Sequence, residues 1–207
     1  RYAEYLRRDG AHVIAAAKKP LYEILKTCPW VDKVLGDGEE TGAYHYWVYP
    51  MSLPHRYATK LETIPNTLPY LQASKEKISF WQDKLVNTQS SNKKICLVWA
   101  GSAAHNNDSN RSIALEYFEP LMGIEGIDWY CLHMRENAEK IYSLAGKTLF
   151  NLGAEVKDFT DTAGILTHMD LLISVDSAPL HLAGALDRPA WGLITYIPDF
   201  RWLLDRS

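Results

Sequence analysis

Asp176, Ser177 and His181 have the types and the spacing to grip an anion. The apolar run Leu171-Leu172-Ile173-Ser174-Val175 ends at the acid and the hydroxyl. A small-residue turn with Ala178 and Pro179 follows, and His181 falls on the first turn of a helix pattern that runs to Ala185. A strand of this kind delivers Asp176 and Ser177 to the carboxyl edge of a sheet. The helix after it aims its unpaired N–H groups and the positive end of its dipole at the same place. A phosphate suits such a site. Ser177, Ala178 and the backbone amides would hold its oxygens, His181 would add a donor, and Asp176 could meet a ribose or orient a neighbour. Simple capping, with a histidine packed against the sheet edge, would produce the same local pattern, which does not choose between the two.

A second candidate is the loop after Ile95-Cys96-Leu97-Val98-Trp99-Ala100, itself a strand pattern. Gly101 and Ser102 let backbone approach a ligand closely, and Arg111 could pair bidentately with a phosphate. A surface arginine on a solvated loop is the commoner fate of such a residue, but long connections in compact domains often carry function. Thr160 and Asp161, in Asp158-Phe159-Thr160-Asp161-Thr162-Ala163, could touch a ligand, although Asp161 also reads as a helix N-cap. His133 and Arg135 follow the strand Asp128–Leu132 and would line the same crevice or sit exposed on a connecting loop. His45 and His55 have no partner pattern, and Tyr44, Tyr46, Trp47 and Tyr49 read as packing. No nucleophile elbow, Walker loop, metal motif or complete dinucleotide fingerprint occurs.

These residues need a sheet to position them. In the first half, residues 1–9 read as a helix, His12–Ala17 as a strand, Pro20–Lys26 as a helix, Val31–Leu35 as a strand and Tyr44–Tyr49 as another. A proline-rich stretch to Ser74 leads to a helix over Lys75–Val86. In the second half the strands fall at 95–100, 128–132, 148–151, 171–175 and 190–194. Helices are expected from about Leu115, over Glu136–Ala145, from Asp161 and after Ser177. This rhythm predicts an α/β fold with parallel sheets. The polar run Asn87–Asn92 marks a boundary, so residues 1–86 form one unit, 87–93 a linker and 94–207 a second unit.

The 207 residues carry a formal charge of -3, 47% hydrophobic and 23% charged residues. That composition fits a globular chain and argues against a broad nucleic-acid footprint. No apolar run could span a bilayer. Cys28, Cys96 and Cys131 lack metal-type spacing; Cys96 and Cys131, in apolar strand patterns, read as small buried residues, and a reduced, cytoplasmic compartment is expected. The chain begins inside a helix pattern without Met, which reads as a segment of a longer protein.

Taken together, Leu97–Gly101, Asn107-Asp108, Asn110–Ile113, Asp158–Ala163, Ile173–Ala178, His181–Ala185 and Pro198–Leu204 resemble the heptosyltransferase-like glycosyltransferases of family 9. The nearest likeness is to the bacterial branch that follows tetratricopeptide repeats. Leu53-Pro54, Thr63–Pro65 and Pro69–Leu71 are similar to that branch's acceptor side. The resemblance implies a GT-B architecture of two Rossmann-like domains, here with an incomplete N-terminal one. The second domain would bind a nucleotide-diphosphate sugar, and the first a glycan, lipopolysaccharide or protein acceptor. No cofactor and no metal are implied. Arg111 aligns with the family's basic donor-site residue, and Asp176, Ser177, Ala178 and His181 with its Asp-Thr-Gly-x-x-His motif. His133-Met134 stands where the family often carries Gln-Lys. The family's catalytic base would lie upstream of Arg1, so the segment alone is expected to be inactive. A nucleotide-sugar epimerase and a non-catalytic binding module are the alternative readings.

Overall fold

The computed structural model describes residues 1–85, 91–134 and 141–202. Two parallel strands, β1 (Ile14–Ala16) and β2 (Lys33–Leu35), pair in the first half. Helix α1 (Ala3–Arg8) precedes them and α2 (Lys19–Leu25), opened by Pro20, joins them. Proline suits that position because an N–H at a helix start has no intrahelical acceptor. Asp32 closes the turn before β2 by accepting from the Val13 N–H at 2.6 Å and from Arg7 at 2.9 Å. The next stretch holds the short helix α3 (Leu53–Arg56) and leads to α4 (Lys75–Lys84), capped by Ser74.

The second half builds a sheet of six strands. They are β3 (Lys93–Val98), β4 (Ile127–Cys131), β5 (Ile141–Leu144), β6 (Lys147–Asn151), β7 (Leu171–Val175) and β8 (Ala190–Leu193). The order is β5-β6-β4-β3-β7-β8, and every pairing is parallel except the β5–β6 hairpin. The short helices α5 (Asp108–Arg111) and α6 (Glu119–Met122) follow β3, α7 (Phe159–Thr167) precedes β7, and α8 (Ala178–Ala185) follows it. From β6 to β8 this is the strand order of a Rossmann-like sheet. The order reverses between β3 and β7, where open α/β sheets leave a crevice at their carboxyl ends.

Alternation along the central strands divides the core into two layers. Cys96, Val98, Tyr130, Leu132 and Leu172 face α4, α7 and α8. Leu97, Trp99, Trp129, Cys131 and Ile173 face Phe118 and Met122. A strand buried on both faces needs apolar side chains at both parities, which is why these runs read as continuous. Ile24, Cys28 and Leu71 from the first half join the first layer. All three thiols are free and buried. Burial pushes the Cys96 thiol well up and Cys131 up to about 12, so both are packing residues.

Helices α4 and α7 touch at backbone distance. A Cβ on Gly164 would lie 2.9 Å from the Lys77 carbonyl oxygen and from Trp81 Cδ1, so only glycine permits this crossing. The same seam carries a buried carboxylate. Asp161 accepts from Lys77 Nζ at 2.7 Å, Trp81 Nε1 at 3.1 Å and the Lys157 N–H at 3.0 Å. Burial alone would raise its pKa, but these three donors outweigh it and hold the carboxyl below its usual value. A carboxyl depressed in the folded state contributes stability that is complete above its unfolded pKa, about 3.9, and is lost as pH falls through the lower folded value. Asp161→Asn is therefore expected to destabilise the chain at neutral pH and to flatten the acid limb of stability. Urea unfolding between about pH 6 and pH 3 measures both effects.

Four local expectations are corrected. The cap of α7 is Asp158, which accepts from the Thr160 N–H at 2.8 Å, and Asp161 lies within the first turn of the helix. Residues 141–144 form a strand where a helix was expected; residues 136–140 lie outside the described residues. Ala145 and Gly146 both adopt positive φ (50° and 74°), the geometry of a two-residue hairpin turn, and tie β5 to β6. Tyr44–Tyr49 is irregular and exposed, with Tyr46 93% accessible. Strand propensity describes a fit to a half-buried pleated surface, and this segment pairs with no strand among the described residues. The helix expected from Leu115 is a 3-10 turn over Leu115–Phe118 followed by α6.

Candidate functional site

The loops after β3, β7 and β8 meet at the carboxyl edge of the sheet around a cleft of about 450 Å³. Its lining includes Arg111, Asp176, Ser177, Ala178 and His181, together with His105, Asn107 and the segment 195–201. The site therefore stands at the point of strand-order reversal, where β3 and β7 deliver their ends side by side.

Arg111 is the keystone. Its side chain is only 14% exposed. Nη1 donates to the Asp176 carbonyl at 3.0 Å, Nη2 reaches the Ser102 carbonyl at 3.5 Å, and Nε lies 3.5 Å from Asp108 Oδ1. The guanidinium thus bridges the loops after β3 and β7. Each Nη carries two hydrogens, so one on each remains for a ligand. Asp108 is itself fixed by Ser112 Oγ, which donates to it at 2.8 Å and accepts from the Gly101 N–H at 3.2 Å.

Gly101 has a role different from the expected one. A Cβ there would lie 2.3 Å from Arg111 Nη2 and 2.5 Å from Cζ, so the guanidinium lies on the glycine. The missing side chain makes room for the arginine. Gly101→Ala should displace the guanidinium while leaving the backbone relaxed. A ligand held by Arg111 should bind about tenfold more weakly, since an ångström-scale misplacement is felt strongly. Stability should change by less than about 1 kcal/mol. Titration calorimetry and thermal unfolding separate the two effects.

Ser177 is the N-cap of α8, but its hydroxyl is buried against Ser174 Oγ at 2.9 Å and makes no cap bond. Pro179 has no N–H, which leaves the Ala178 N–H at the cleft end of the helix. His181 Nε2 lies 3.3 Å from Asp176 Oδ1, and its ring stacks on Trp202 at 5.3 Å and 21°. Asp199 also faces the cleft. The N–H and the guanidinium of Arg201 hold its carboxyl below the usual range.

The other expected site residues lie outside this lining. Ser102 is exposed and contributes its carbonyl to Arg111. The His133 ring stacks on Trp99 at 4.6 Å and 7° and meets the edge of Tyr142. Thr160 donates to the cap residue Asp158, and Asp161 is held in the α4–α7 seam. Arg135 lies outside the described residues. Of the lining residues in this segment, Pro198, Asp199 and Arg201 are visible in the sequence only through the family likeness of Pro198–Leu204, and Thr195 and Ile197 lie outside it. Their signal is positional, because they follow the strand next to β7 and share its carboxyl edge.

Residues 132–202 match the model of glycosyltransferase family 9 (heptosyltransferase). The match spans 71 of the 207 residues. It includes Asp176, Ser177, Ala178 and His181 with the segment after β8, whereas Gly101 and Arg111 precede it. No curated protein and no solved structure matches the chain. Among the described residues, no helix is long and apolar enough to cross a membrane.

Proposed function

We propose that the chain carries the donor site of a family 9-type, heptosyltransferase-like glycosyltransferase. A nucleotide-diphosphate sugar would lie at the cleft with its diphosphate between Arg111 and the start of α8. The parent protein would transfer the sugar to an acceptor hydroxyl. The observation that carries this reading is an arginine anchored by two backbone carbonyls at the strand-order reversal, beside a helix start inside the family match. In the reaction the bond from the anomeric carbon to the diphosphate breaks, a bond to the acceptor oxygen forms, and the acceptor's proton leaves to a base. Negative charge grows on the departing diphosphate. Arg111, the Ala178 N–H and a ring N–H of His181 oppose that charge, and preorganised donors of this kind are usually a large catalytic contribution. Asp176 orients His181 from 3.3 Å.

In this reading residues 94–207 form the donor half of a GT-B enzyme, and residues 1–86 supply part of the acceptor half. The acceptor is a glycan, a lipopolysaccharide or a protein. Titration of the 207-residue chain with ADP-, UDP- and GDP-sugars tests the reading. One base series should bind with Kd between about 10 μM and 1 mM, the ordinary range for enzyme substrates. If none of them gives binding heat or raises the unfolding temperature, the reading is overturned. An epimerised sugar nucleotide formed without acceptor would assign the site to an epimerase.

A further inference from the structure

We propose that Arg201 is a second diphosphate-binding residue, acting on the opposite side of the α8 start from Arg111. The inference rests on the donor reading above. Strand order places β7 between β3 and β8, so the segments after β3 and β8 flank the Asp176–His181 turn on its two sides. Arg111 comes from the first segment and Arg201 from the second, and both line the same cleft.

The segment that carries Arg201 is shaped by hydrogen bonds within itself and held to the donor helix by one ring contact. Thr195 Oγ1 donates to the Ile197 carbonyl at 2.7 Å, which closes a turn just after β8. Asp199 Oδ1 accepts from the Arg201 N–H at 3.0 Å and from Nε at 2.6 Å. Trp202 stacks on His181, so the next residue rests on the donor helix itself. Asp199 engages the guanidinium only through Nε. Nη1 and Nη2 have no partner among the described residues, and together they form the edge that matches two oxygens of one phosphate.

Charge points the same way. Each phosphate of a sugar nucleotide carries a negative charge, and Arg111 alone would leave one of them unopposed. Of the cleft carboxylates, Asp199 meets Arg201 through Nε alone, and Asp176 lies 3.3 Å from His181 Nε2. Two arginines on either side of the helix start supply one fork for each phosphate. The class of ligand this favours is a nucleoside diphosphate or its sugar ester over a nucleoside monophosphate.

The test titrates ADP, UDP, GDP and the three monophosphates against the unaltered chain, Arg201→Ala, Arg201→Lys and Arg111→Ala. Arg201 is half-exposed, so the first two variants should keep the fold, and circular dichroism and thermal unfolding check this. Arg201→Ala is expected to weaken the best-binding diphosphate about tenfold and its monophosphate less than about twofold, with Arg201→Lys recovering part of the loss. Unchanged diphosphate affinity in Arg201→Ala, or equal losses for both ligands, overturns the proposal. If only Arg111→Ala weakens binding, the donor site stands and the role of Arg201 falls. If the unaltered chain binds none of the six, the donor reading fails and this proposal with it.

Discussion

Arg111→Ala should weaken nucleoside-diphosphate binding about 100-fold, or roughly 2.8 kcal/mol, while the chain stays folded. Two effects add. The substitution removes charge-assisted bonds to the diphosphate, and it removes the bridge from the loop after β3 to the Asp176 carbonyl. The second effect loosens the turn that presents Ala178 and His181. Arg111→Lys should recover little, because an ammonium cannot hold two carbonyls and a phosphate edge in one plane. Calorimetry with the best-binding diphosphate gives the affinity, and thermal unfolding shows whether the fold persists. An Arg111→Ala chain that binds like the unaltered one, with an intact fold, would remove the arginine from the site.

Trp81→Ala is expected to be the most damaging substitution for stability. Trp81 is fully buried, and it sits where α4 crosses α7 over Gly164. Truncating a buried tryptophan costs about 3–5 kcal/mol in lost transfer energy and cavity. Here the change also takes the Nε1 donor from Asp161, a carboxylate only 2% exposed. Trp81→Phe keeps most of the ring and loses that bond, at about 1 kcal/mol for the hydrogen bond plus a smaller packing loss. Urea unfolding of the two variants orders them. If Trp81→Ala matched the unaltered chain, the α4–α7 seam would contribute nothing to the core.

Both residues illustrate what local sequence can and cannot carry. Arg111 was legible as a candidate because an arginine in a long polar loop after a strand end is a recognisable pattern. Its partners were not, since the Asp176 carbonyl is 65 residues away. Gly101 was legible as a close-approach glycine, but the group that approaches is the protein's own arginine. Trp81 carried no signal at all, because Asp161, 80 residues on, became its partner only when two helices crossed.

The elements divide along the same line. Strands β3, β4, β6, β7 and β8 and helices α1, α2, α4 and α8 were readable because each is encoded by its own residues. Continuous apolar runs mark strands buried on both faces, and proline marks helix starts; the linker expected at 87–93 lies largely outside the described residues. Tyr44–Tyr49 and Ile141–Leu144 depart from their local patterns because strand formation depends on a neighbour. The first segment pairs with no strand among the described residues, whereas the second gained β6 through a two-residue turn.

The sequence by itself determined the strand–acid–hydroxyl–helix unit at Leu171–Ala185, the arginine that could serve it, and an α/β rhythm with strand ends to hold both. Tertiary structure alone decided that β7 lies beside β3, which brings Arg111 onto Asp176. It also decided that β8 lies on the other side, which brings Asp199 and Arg201 to the same cleft. The physical reason is one of range. Periodicity, caps and turns are energies between residues a few positions apart, whereas strand order and a shared cleft follow from burying the whole sheet at once.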